Sequence, residues 1–153
     1  MREMTPAKHT YRTTIWLALF TLTVSAMTIG TMRAQTPAGK SVLDGVYLDE
    51  QSKRGEALSQ TTCVSCHGEQ LAGGDLAPAI QGQDFRAAWA GRSAGELFDK
   101  IRTTMPADSA GSLKPAQAAD LVAYIFKLND FPAGQTELAT EMAALNDIKI
   151  RQK

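Results

Sequence analysis

Apolar residues fall very unevenly along this chain. The run Ile15–Ile29 (IWLALFTLTVSAMTI) is nearly continuous, whereas amphipathic stretches alternate with Gly- and Pro-rich breaks after Gln35. The apolar run follows Arg2, Lys8 and Arg12 and is shorter than the about 20 residues a membrane-spanning helix needs. A basic start followed by a short apolar core reads as a signal peptide over residues 1–34, with the cleavage position left open. The alternative reading is an uncleaved N-terminal anchor, which would tie the protein to a membrane. Residues 35–46 follow as a polar linker containing Pro37, Gly39 and Gly45.

The remainder reads as helices. Val46 to about Thr62 favours a helix, although Gly55 in its interior costs about 1 kcal/mol relative to Ala. Residues 68–82 (GEQLAGGDLAPAIQG) have no helical period and read as a loop able to fold over a flat group. Gln83–Ala90 predicts a short helix carrying Phe85 and Trp89. Ser93 and Glu96 form a capping box that opens a helix to about Thr103, with Pro106 as its stop. Pro115 suits the first turn of the next helix, whose apolar face is Leu121, Val122, Ile125 and Leu128. Asn129, Asp130 and Pro132 end it. From Thr136 the spacing of Leu138, Met142 and Leu145 predicts one more short helix, packed on the domain as a C-terminal extension over residues 133–153. No stretch reads as a strand pair, so the expected class is all-α.

Charge excludes one broad class. The whole chain balances 16 Lys and Arg against 16 Asp and Glu, but residues 1–34 hold four bases and one acid. The remainder therefore carries 12 bases and 15 acids, a net charge of −3. A mildly acidic exported domain is a poor nucleic-acid binder. No phosphate loop, dinucleotide fingerprint or nucleophile elbow is present.

The chemistry concentrates in Cys63-Val64-Ser65-Cys66-His67. C-x-x-C-H is the attachment string of a c-type haem. Two thiols three positions apart reach the two vinyl groups on one porphyrin edge, and the adjacent imidazole supplies a proximal ligand to the iron. These are the only two Cys in 153 residues, and the only other His is His9 in the leader. A structural zinc site needs four N/S ligands and is one short here. A thioredoxin-like redox pair needs a βαβ setting that the pattern does not offer. The expected cofactor is one covalent haem c with its iron. With no second His after the leader, the distal ligand falls to Met105 or Met142. Met105 precedes Pro106 in a loop and can reach inward. Met142 shares helical spacing with Leu138 and Leu145 and reads as packing. A distal thioether favours Fe(II), raises the reduction potential and leaves no open position for O₂.

CVSCHGEQLAGGDLAPAI, TTMPAD and LVAYIFKLN together make the chain resemble the class I bacterial monohaem cytochromes c, over about residues 47–132. The resemblance implies three to five helices wrapped around one haem. It implies a helix crossing at Gly55 and Tyr124, and a Pro78 carbonyl that accepts the Nδ1–H of His67. Trp89 reads either as core packing or as part of the haem pocket, where a propionate could take its indole N–H. Leu58 replaces an aromatic usual in the family, and Lys114 replaces a hydroxyl cap, a change expected to cost N-cap stability.

The implied role is single-electron transfer between periplasmic redox proteins rather than catalysis. A quinoprotein or other exported dehydrogenase is the expected donor, and a terminal oxidase or another cytochrome the expected acceptor, both by analogy of fold. A haem c subunit of a periplasmic dehydrogenase complex is the alternative. A haem-based gas sensor, in which Met105 would dissociate, is a further one.

Overall fold

A computed structural model describes residues 39–152. The signal peptide expected over residues 1–34 lies outside them, as does the start of the linker. Six α-helices carry the fold: α1 (Asp49–Thr62), α2 (Val64–His67), α3 (Gly82–Trp89), α4 (Ala94–Thr104), α5 (Pro115–Leu128) and α6 (Met142–Asn146). Single 3₁₀ turns occur at Val42–Asp44 and Glu69–Leu71. Among the described residues there is no strand, only two isolated bridges made by Lys149. The fold is all-α.

Local chemistry explains most helix ends. Asp49 and Glu50 sit in the first turn of α1, where acids meet the positive end of the helix dipole. The capping box of α4 forms as the sequence predicts. Glu96 N–H donates to Ser93 Oγ at 3.1 Å, and Ser93 N–H donates to Glu96 Oε2 at 2.8 Å. Pro115 occupies the first turn of α5. Lys114 at its N-cap has no side-chain acceptor to offer. Instead, Gln117 reaches back and its Oε1 accepts the Lys114 N–H at 3.0 Å. That bond supplies half of a capping box and offsets part of the expected cost.

Helices α1 and α5 pack as a crossed pair, and their surfaces are unalike. The buried face of α1 is Gln51, Ser52, Gly55 and Ser59, all small or polar. Helix α5 is buried nearly all round, through Leu121, Val122, Tyr124, Ile125 and Phe126 among others, and meets Gly55 of α1 at Asp120 and Tyr124. Small residues on one helix let the backbones approach, and bulky ones on the other supply the apolar area. Tyr47, Phe98, Phe126, Leu121, Leu145 and Ile150 are among the largest fully buried side chains. Phe131 meets Phe126 edge to face at 5.8 Å between ring centroids.

Two expectations are corrected. Residues 40–46 are not simply a linker: Val42 is fully buried, Val46 is buried, and a capping box at Ser41 closes a 3₁₀ turn. The C-terminal extension is also less helical than its spacing predicts. Leu138 lies in irregular chain, and α6 spans only Met142–Asn146. Leu138 is still buried, and Gln51 holds its backbone. Met142 does not pack, being 40 % exposed. Beyond α6 the chain extends as a strap. Val42 N–H donates to Lys149 O, Lys149 N–H to Lys40 O, Ala94 N–H to Ile148 O, and Gly91 N–H to Ile150 O. The strap therefore joins the 40–42 segment to the α3–α4 connection, and it buries Ile148 and Ile150.

Candidate functional site

Helix α1 delivers the Cys string to a cavity. Cys63 caps its C-terminus, with its N–H donating to Ser59 O at 2.9 Å. One turn of α2 follows, in which Cys66 and His67 N–H both donate to Cys63 O, at 3.1 and 2.9 Å. That turn places Cys63, Cys66 and His67 on the wall of one cavity of about 600 Å³. The volume lies within the about 300–1,000 Å³ of small-molecule and cofactor sites. Cys63 is half-buried and Cys66 exposed, so the thiol edge of the cavity reaches the surface. Burial pushes the Cys63 thiol up, against a smaller lowering by the Thr62 hydroxyl.

The loop after His67 turns back sharply. Gly68 has φ +75°, and a Cβ there would overlap the Gly73 carbonyl oxygen. Only glycine meets both demands. Gly73 N–H then donates to His67 O at 2.7 Å, and Ile80 N–H to Leu71 O at 3.0 Å. The fold of this loop brings the Pro78 carbonyl 2.8 Å from His67 Nδ1. A carbonyl can only accept, so Nδ1 is the protonated nitrogen and Nε2 carries the lone pair. This orients the ring and makes Nε2 a metal-ready donor.

Met105 follows the last residue of α4, in extended backbone, and lines the same cavity as His67. Met142 does not line it. The apolar walls include Leu71, Phe85, Leu97, Ile101, Leu121 and Ile125, drawn from three helices and the loop. Trp89 also lines the cavity, packs on Phe85 at 5.9 Å, and carries the Arg92 guanidinium 4.1 Å over its ring. Gly55 and Tyr124 lie behind the cavity at the α1–α5 crossing, away from its lining. They position the wall and do not line it.

Several residues of the site were not singled out from sequence. Lys100 and Asp84 are the charged side chains of the cavity lining, apart from the ionisable Cys and His of the string. Neither lies in a motif, and only the fold shows that both line one cavity. Asn129 reads from sequence as a helix stop, yet its side chain is fully buried and reaches Ile80 O across the fold.

The donor set suits a covalently held tetrapyrrole. Two thiols stand beside a free imidazole nitrogen, a thioether shares the cavity, and apolar walls enclose the rest. Among the described residues no group of three His, Cys, Asp or Glu could hold a bare metal ion. Residues 50–125 match the family model described as cytochrome C oxidase, cbb3-type, subunit III. No curated protein and no solved structure gives a match.

Proposed function

Because residues 50–125 form a class I c-type cytochrome domain, a haem c electron carrier, we propose that the chain passes single electrons between exported redox partners with His67 and Met105 as axial ligands. The observation that carries this reading is the convergence of Cys63, Cys66, His67 and Met105 on one apolar cavity.

When bound, haem c supplies an Fe(III)/Fe(II) couple. The rest follows from the chain. Cys63 and Cys66 would tether the group by thioethers at the open edge of the cavity. Pro78 holds His67 with Nε2 free for iron, and its carbonyl raises the basicity of that nitrogen. Met105, on the same cavity, would offer the iron a soft thioether, which would favour the reduced state. The apolar walls keep water away from the metal and limit the solvent rearrangement that accompanies each charge change. If both His67 and Met105 hold the group, no position would remain at the iron for a substrate, which supports the reading as a carrier. Partners approach the exposed Cys66 edge. A quinoprotein or other exported dehydrogenase is the proposed donor, and an oxidase or second cytochrome the proposed acceptor. The proposed location is the periplasm, which the signal peptide predicted from sequence over residues 1–34 supports. Among the described residues no helix is long and apolar enough to cross a membrane.

The test is optical. The oxidised protein should show the weak long-wavelength charge-transfer band of a thioether–Fe(III) pair, and Met105→Ala should abolish it. Persistence of the band in Met105→Ala would overturn the distal assignment. A second reading, a resident subunit of a larger complex, draws on the matched family's description as an oxidase subunit. Native purification separates the two, since a subunit would co-elute with its enzyme and a shuttle would run alone.

A further inference from the structure

Asn129 ends α5 and is completely buried. Its Nδ2 donates twice, to Ile125 O at 2.8 Å and to Ile80 O at 3.2 Å. The first bond satisfies a carbonyl in the last turn of its own helix, an ordinary capping task. The second is different, because it crosses the fold to a loop 49 residues away in sequence. Its Oδ1 has no hydrogen-bond partner among the described residues. The amide is therefore oriented by its two donor bonds, and its acceptor oxygen plays no part in holding it.

The loop it grips is the one that orients His67. Ile80 is held on both sides: its N–H donates to Leu71 O at 3.0 Å, and its carbonyl accepts from Asn129. Two residues earlier, Pro78 O accepts from His67 Nδ1 at 2.8 Å. A proline carbonyl on a Gly-rich loop has few anchors of its own. Holding Ile80 to the end of α5 limits how far the Pro78 oxygen can drift from the imidazole.

From this we infer that Asn129 is a positioning residue for the His67 imidazole, acting through Ile80 and Pro78 and so setting the donor strength of the proximal nitrogen. The inference rests on His67 as the proximal ligand. A well-made Nδ1–H bond gives the ring more imidazolate character and favours Fe(III). Loosening the loop should weaken that bond, raise the reduction potential and expose Nδ1–H to exchange.

The test uses the haem-loaded full chain with Asn129→Leu, which keeps the γ-branched shape with some added bulk and removes both donor bonds. Asn129→Ser is made alongside it as a milder variant that will fold if the leucine variant does not. Two quantities are read: the reduction potential, and the exchange rate of the hyperfine-shifted His67 Nδ1–H by NMR. Leu145→Ala serves as a control, since Leu145 is fully buried on α6, a helix that packs on α4, and its truncation should destabilise the fold. The expected result is an exchange rate about tenfold faster in the Asn129 variants, the scale of losing one buried hydrogen bond, with a raised potential. Leu145→Ala should move neither. Unchanged exchange and potential in both Asn129 variants would overturn the inference, as would an equal shift in Leu145→Ala. Absence of a hyperfine-shifted ring N–H in the unaltered protein would instead overturn His67 ligation, so the two failures are distinct.

Discussion

Gly55 and Tyr124 stand so close at the α1–α5 crossing that a Cβ on Gly55 would lie 2.9 Å from Tyr124 Cβ, and would overlap the Asp120 carbonyl oxygen. The obstacle is mainly backbone, which cannot swing aside as a side-chain tip can. Gly55 has an ordinary helical φ, so its value lies in the room it leaves, not in conformational freedom.

Replacing Gly55 by Ala therefore sets two effects against each other. Helix propensity favours Ala by about 1 kcal/mol, while overpacking costs about 1–3 kcal/mol and rises when backbone must move. The expected net result is destabilisation, with a lower midpoint in denaturant and weaker haem retention, because α1 delivers Cys63. A stabilised Gly55→Ala protein would show that the two helices are not in intimate contact.

Gln51 governs the C-terminal extension. This buried side chain accepts from Leu138 N–H at 2.7 Å and donates to Leu138 O at 3.1 Å, satisfying both backbone groups of one residue. Gln51→Leu would strand both in the interior, at a cost of about 1–3 kcal/mol for each unsatisfied group. Hydrogen exchange at the Leu138 amide should accelerate sharply while amides of α4 stay protected. Uniform change across the domain would argue against a local role.

Acid should unpick a specific surface pair. Hydrogen bonds from Lys127 and then Lys53 hold the Asp49 carboxyl at about 2, below its usual 3.8. A lowered carboxyl pKa contributes stability above pH 3.8, and that contribution is lost as pH falls through about 2. Asp49→Asn should thus be less stable than the parent at neutral pH and indistinguishable from it near pH 2, by denaturant titration at each pH. The site is exposed, so added salt should shrink the gap. A gap that survives both acid and salt would point to packing instead of charge.

The strap predicts its own sensitivity. Ile150 is fully buried, and its backbone pairs with Gly91 and Arg92 beside the cavity wall. Ile150→Ala should cost about 2–5 kcal/mol as a buried large-to-small change, read as a drop in unfolding midpoint. Because the strap touches the α3–α4 connection and not the axial side chains, the long-wavelength band should persist in the folded variant. Its loss would tie the strap directly to Met105.

Much of the site was legible in the sequence because its rules are local. The Cys63–His67 string needs one turn of helix, and five consecutive residues specify it. Ser93 and Glu96 cap a helix three residues apart, Pro115 starts one, and the period of Leu121, Val122, Ile125 and Leu128 marks its buried face. Gly55 could be suspected from its cost in a helix, and the family resemblance implied the crossing with Tyr124; the structure adds that the Asp120 backbone is what its missing side chain makes room for.

What required the tertiary structure depends on partners remote in the chain. Val42 is buried, although its surroundings are polar, because Lys149 holds that segment from the far end of the sequence. The tail after Pro132 carries a helical spacing of apolar residues, but burial of Leu138 by Gln51 and of Ile150 by the strap outweighs so short a period. Asn129 reads only as a helix stop until Ile80 is seen across the fold. The sequence by itself determined the cofactor chemistry and the main helices, since hydrogen bonds three or four residues apart and a single spaced motif suffice. Which polar side chains hold the cavity in shape was decided only by folding, because contacts between distant segments leave no periodic trace.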